Sequence, residues 1–137
     1  MRVRVPLRAA NLMRRIIVCG SRTWRDREAI ASRFYDLDRN TKGPWPTVVI
    51  VHGGARGADR IAADEAAKAG FIVEPHPADW GRYGKAAGPI RNEEMAKLGA
   101  DLCIAFWDLA SSGTRDMVDR ALAHGINVEI HGPHRLD

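Results

Sequence analysis

The sequence predicts an α/β fold: one three-layer domain on a parallel sheet of about five strands, in the order 3-2-1-4-5. Three observations point there. Short continuous apolar runs alternate with longer stretches of helical periodicity, the runs lack the polar alternation of a half-solvated sheet, and glycine or proline marks the boundaries. With 137 residues, 45% hydrophobic and 28% charged, the chain suits a single soluble domain of ordinary composition.

The first strand runs from Arg15 to Gly20, where Ile16-Ile17-Val18-Cys19 is apolar throughout. Asp26 caps the next helix, in which Ile30, Phe34 and Leu37 recur at helical spacing. Lys42-Gly43-Pro44-Trp45-Pro46 breaks it, and Thr47 to Val51 forms the second strand. Helix Ala58 to Ala69 presents a small-residue face and stops at Gly70. Phe71 to Glu74 is a third strand, closed by Pro75 and Pro77 and followed by a loop holding Trp80 and Tyr83. A helix from about Ile90 to Leu98 ends at Gly99; Leu102 to Phe106 is the fourth strand. A Ser111-Ser112-Gly113-Thr114 turn, a helix from Arg115 to His124 and a fifth strand from Asn127 to Ile130 complete the pattern.

Charge is unevenly placed. The net formal charge is +4, and Arg2, Arg4, Arg8 and Arg14 precede Arg15 with no acid among them, so the remainder is neutral. Met1 to Leu12 therefore read as a disordered basic extension ahead of a domain spanning 13–137. The lack of a secretory apolar centre or a membrane-length run makes a cytoplasmic location, with no membrane partner, the expectation. Cys19 and Cys103 lie in separate strand candidates and read as buried free thiols, and His52, His76, His124, His131 and His134 show no zinc spacing. No metal or cofactor is expected.

In a sheet of this order, ligands bind outside the carboxyl ends of the strands, beside strands one and four. Three turns converge there: Gly20-Ser21-Arg22-Thr23, His52 to Asp59, and Ser111 to Thr114. The second carries Gly53, Gly54 and Gly57 between an apolar run and a helix, so its N–H groups are candidates to hold an anion. It matches neither GxxxxGK[ST] nor a GxGxxG after the first strand, and a plain strand-to-helix turn is the competing reading. Asp59 likewise reads either as a ligand contact or as an acid in the first helical turn. Ser21 and Thr114 are phosphate donors or helix caps; Arg22 and Lys85 are phosphate contacts or solvated charges. Trp24, Trp80 and Tyr83 either stack a base or line a core or subunit contact.

Cys19-Gly20-Ser21-Arg22-Thr23-Trp24, His52-Gly53-Gly54-Ala55-Arg56-Gly57-Ala58-Asp59, Ala78-Asp79-Trp80, Gly84-Lys85-Ala86-Ala87-Gly88-Pro89-Ile90-Arg91-Asn92 and Gly113-Thr114 together resemble the YspA-type branch of the SLOG superfamily. The resemblance runs from about Arg15 to Val128 with the motifs in order. It implies a Rossmann-like module that binds a nucleotide or nucleotide-derived ligand and assembles as a homo-oligomer, a dimer being favoured. The superfamily includes the LOG phosphoribohydrolases, single-stranded-DNA-binding proteins and sensors of NAD-derived signals.

Against the LOG pattern of RxxxM with PGGxGTxxE, Arg91 and Met95 keep the arginine and methionine, which puts Arg91 at the catalytic arginine. Gly113-Thr114 keeps the pair thought to hold the phosphate. Leu109, Ala110 and Ser111 replace the proline and two glycines; Met117 replaces the glutamate, with Asp116 as the adjacent carboxylate. N-glycosidic cleavage needs a placed carboxylate, so the departure affects chemistry more than binding.

Three functions follow. The first is a nucleotide-ligand binding domain, a sensor or enzyme-like module, using Gly20, Ser21, Arg22, Thr23, His52, Gly53, Gly54, Gly57, Asp59, Lys85, Arg91, Asn92, Gly113 and Thr114. The second is a nucleoside-monophosphate N-glycosidase using Arg91 with Asp116, Glu93 or Glu94. The third, a single-stranded nucleic-acid binder using Arg22, Arg25, Arg82 and the tryptophans, is disfavoured by the neutral body.

Overall fold

A computed structural model describes residues 13–39 and 47–132. The extension expected over Met1 to Leu12, the break at Lys42 to Pro46 and His134 lie outside the described residues.

Five parallel strands, β1 (Met13–Gly20), β2 (Thr47–His52), β3 (Ile72–Pro75), β4 (Leu102–Phe106) and β5 (Val128–His131), form one sheet in the order β3-β2-β1-β4-β5. Ile16 of β1 aligns with Ile50 of β2 and Leu102 of β4, so the most apolar segments sit side by side. Helices α1 (Arg27–Arg39) and α2 (Ala58–Ala69) cover one face with Ile30, Phe34, Leu37, Ala62 and Ala66 on Ile16, Val18, Ile50 and Phe106. On the other face, Met95, Ala96, Met117 and Ala121 pack on Ile17, Cys19, Val51 and Ala105; they come from α4 (Ala87–Leu98) and α5 (Ser112–Ala123). Continuous apolar strands follow from this double cover.

Three helix starts differ from expectation; side-chain caps explain two of them and Pro89 the third. Where a loop was expected, Asp79 Oδ1 accepts the Arg82 N–H at 3.1 Å and starts the short helix α3 (Trp80–Tyr83), followed by a 3₁₀ turn at Gly84–Ala86. Helix α4 then begins at Ala87, three residues before Ile90, because Pro89 falls in the first turn, where its missing N–H costs no helical bond. Helix α5 begins at Ser112 and not at Arg115, since Ser111 Oγ accepts the Thr114 N–H at 3.3 Å. Strands β3 and β5 are each shifted by one residue from the expected spans, and β1 starts two residues earlier.

Ion pairs tie strand to strand and helix to sheet. Arg15 of β1 makes a bidentate pair with Glu74 of β3, at 2.7 and 2.8 Å, and Arg33 of α1 does the same with Glu129 of β5, at 2.6 and 3.0 Å. Arg15 is the largest cause holding the Glu74 carboxyl down at about 2.

Candidate functional site

At the carboxyl edge, the end of β1 and the starts of α2, α4 and α5 enclose a cavity of about 770 Å³. That size suits a nucleotide. Three cations line it from different elements: Arg22 from the turn after β1, Lys85 from the 3₁₀ turn and Arg91 from α4. Arg22 and Lys85 are exposed, and neither has an ion pair or hydrogen bond from its charged group among the described residues. Arg91 is held rigidly: Nε donates to Asn92 Oδ1 at 2.9 Å, and Nη1 donates to the carbonyls of Gly53 at 2.6 Å and His76 at 3.3 Å. Its Nη2 has no partner among the described residues. Burial lowers the Arg91 pKa, opposed chiefly by the nearby Asp59 carboxylate.

The first turn of α5 forms the opposite wall, with Ser111, Ser112, Gly113 and Thr114 all lining the cavity. Ser111 Oγ accepts from the Thr114 N–H and, at 3.1 Å, from the Thr114 hydroxyl, so Ser111 is the cap and the Thr114 hydroxyl donates to it. The Ser112 and Gly113 N–H groups have no partner among the described residues. A helix start with open amides attracts an anion.

The glycine-rich loop is built differently from the expected phosphate cradle. Asp59 Oδ2 accepts the N–H groups of Gly53 at 3.1 Å and Ala55 at 3.3 Å, and His52 Nδ1 accepts that of Gly54 at 2.9 Å. The chain's own carboxylate occupies the place expected for an external anion. Burial lowers the pKa of His52, helped by Arg91 and His76, which leaves Nδ1 free to accept.

The glycines answer to packing: a Cβ at Gly53 would overlap the Arg91 guanidinium, and at Gly57, whose φ is +70°, it would run into the carbonyls of Ser21 and Arg22. A Cβ at Gly20 would meet the Phe106 carbonyl. Among these, only Gly20 lines the cavity; His52, Gly53, Gly54 and Gly57 support it from behind.

Asp59 is 5% exposed yet lines the cavity, and its Oδ1 has no hydrogen-bond partner among the described residues. Burial raises its pKa to about 6, against the two loop amides and the positive charges of Arg91 and Arg22. It is the acid of the first turn of α2, and its Oδ2 also braces the loop by reaching amides outside the helix.

Asn92 and Asp116 meet across α4 and α5, both lining the cavity, with Asn92 Nδ2 donating to Asp116 Oδ2 at 3.0 Å. Arg120 Nε donates to the same oxygen at 2.9 Å, so Asp116 is already ion-paired. Glu93 pairs with Arg120 and His124, and Glu94 with His76; neither lines the cavity. Ser21 and Thr23 also stay outside it. Ser21 is buried, its Oγ accepting the Asp108 N–H at 3.0 Å, and Thr23 Oγ1 donates to Asp108 at 3.4 Å.

The aromatic candidates separate in the same way. Trp24 is core, tilted against Phe106 at 5.6 Å; Trp80 is half exposed and lines the cavity; Tyr83 lies under Arg82 and lines nothing there. Cys19, read as core, also lines the cavity; its Sγ is 4.0 Å from that of Cys103, and both thiols are free. Among the described residues no His, Cys, Asp and Glu group is placed to hold a metal, and no helix is long and apolar enough to cross a membrane.

A family model described as "YspA, cpYpsA-related SLOG family" matches residues 14–83. The Gene 61 protein of Mycobacterium phage D29 is 46% identical over 122 residues, covering 85% of this chain and 94% of that protein. The chain belongs to this SLOG family. A DNA processing protein A (DprA) structure from Streptococcus pneumoniae superposes with a TM-score of 0.70 at 21% identity, over 91% of this chain. The SLOG domain spans about half of that protein, 52%, and the likeness is one of fold.

Proposed function

We propose that this SLOG domain binds a nucleotide or nucleotide-derived phosphate at the carboxyl edge of its sheet. One observation carries the reading: Arg22, Lys85 and Arg91 line a single cavity that the open first turn of α5 also faces, and Arg22 and Lys85 make no ion pair among the described residues. The phosphate sits at Ser112 and Gly113, and Trp80 offers the base an aromatic surface. Calorimetry with adenosine 5′-monophosphate (AMP) and inorganic phosphate tests it.

Arg22→Ala and Lys85→Ala, whose charged groups make no pairs to lose, should each weaken AMP by about 1.5 to 3 kcal/mol if the contact is a charge-assisted hydrogen bond. Gly113→Val should abolish binding without unfolding, since a Cβ there meets no protein atom within 4 Å. Unchanged affinity in all three removes the site.

A second reading, N-glycosidic hydrolysis, rests on Asp116 lining the same cavity. Chromatographic detection of free base decides it: Asp116→Asn should stop release while sparing binding if Asp116 acts, and an absence of release by the unmodified protein leaves a binder.

A further inference from the structure

The phosphate reading leaves one group of the cavity unexplained. Asp59 lines the wall, is buried, and holds Oδ2 on two loop amides while Oδ1 has no partner among the described residues. Buried polar atoms are almost always satisfied, so an orphaned oxygen in a cavity wall marks a missing partner. An ionised carboxylate only accepts hydrogen bonds and repels phosphate oxygens, so the partner must bring an O–H or N–H donor. The charges of Arg91 and Arg22 act directly on Asp59, so the donor lies next to the groups assigned to the phosphate. In a nucleoside 5′-phosphate the donors nearest the phosphate are the ribose hydroxyls, and the base lies farther off.

We propose that Asp59 is the sugar-recognising residue of this site, its Oδ1 accepting a hydrogen bond from a ribose hydroxyl, so that the cavity selects ribonucleotides over their deoxy analogues. The inference rests on the phosphate reading above. The site then has two poles: a cationic one, which any phosphate satisfies, and a buried acceptor, which only a hydroxylated sugar satisfies. Discrimination of this kind is strong because the analogue lacking the hydroxyl leaves the buried acceptor unpaired.

The test is calorimetry on the full chain with inorganic phosphate, ribose 5-phosphate, AMP, and the 2′-deoxy and 3′-deoxy forms of AMP. The expected result is about 10- to 100-fold weaker binding of one deoxy form than of AMP, the loss typical of a hydrogen bond to a charged group. Asp59→Asn should bring AMP and that deoxy form to within a few-fold of each other without weakening inorganic phosphate, and Asp59→Ala, with a melting curve as the control on folding, should do the same. Equal affinity of the unmodified protein for AMP and both deoxy forms overturns the sugar assignment alone, whatever the variants do. Failure of inorganic phosphate, ribose 5-phosphate and AMP alike to bind overturns the phosphate reading and this one with it.

Discussion

The turn from His52 to Asp59 and the turn from Asp108 to Thr114 both deliver a strand into a helix at one sheet edge, yet they use their backbone amides differently. In the first, the N–H groups of Gly53, Gly54 and Ala55 end on Asp59 and His52, and three glycines are crowded or hold positive φ. In the second, Asp108 Oδ1 accepts from Ala110 and Ser111, but the Ser112 and Gly113 amides stay open, and Gly113 is crowded by nothing. Glycine density therefore reports how tightly the backbone is packed, while ligand capacity follows from which N–H groups lack partners.

The largest expected effect separates the two turns by stability. Gly57→Ala should cost about 3 kcal/mol or more, combining left-handed strain with overlap onto the Ser21 and Arg22 carbonyls. Urea unfolding measures it; a loss under 1 kcal/mol would mean the first turn is as permissive as the second.

An intermediate effect comes from Asp59 itself. Its carboxyl rises from 3.8 to about 6 in the folded protein. A raised acid favours the folded state below its unfolded value and loses that contribution as pH rises through the folded value. Stability should thus fall by up to about 3 kcal/mol between roughly pH 4 and pH 6 on this account. Asp59→Asn removes the titration, so the variant should gain on the unmodified protein across that window and hold a constant advantage above it. Glu74, held down at about 2 by Arg15, acts in the opposite sense: its contribution is present above pH 4.5 and lost as pH falls toward 2. Taking the difference between the two proteins cancels it. A difference flat from pH 4 to 7 would show that burial does not penalise the Asp59 carboxylate.

The smallest effect belongs to the second turn. Gly113→Ala should stabilise the domain by about 0.5 kcal/mol through reduced unfolded-state entropy, since α5 gives the methyl open space. Destabilisation would show that the turn is packed after all.

Much of this edge was legible in the sequence. The strands stood out because both faces are covered, which makes their apolar runs continuous. Of the residues singled out by motif, Arg22, Asp59, Lys85, Arg91, Asn92, Gly113, Thr114 and Asp116 line the cavity. Hidden were the destinations of hydrogen bonds: no spacing rule reveals that Asp59 folds back on Gly53, that the His76 carbonyl steadies Arg91, or that Arg120 pairs with Asp116. Helix starts were hidden for the same reason, since Asp79 and Ser111 act as caps only in the right local geometry.

Helix α3 and the 3₁₀ turn after it bury no side chain, although they carry Trp80 and Lys85. The wall opposite is interlocked, with the Ser21 carbonyl receiving the N–H groups of Trp24 and Ala58 and Gly20 seated on the Phe106 carbonyl. Substitutions across Trp80 to Ala86 therefore meet few folding constraints, whereas those at Gly20, Ser21 and Gly57 meet many. Drift in sequence will concentrate on the first wall, so paralogues can diverge in the face it turns to the cavity while inheriting an unchanged scaffold.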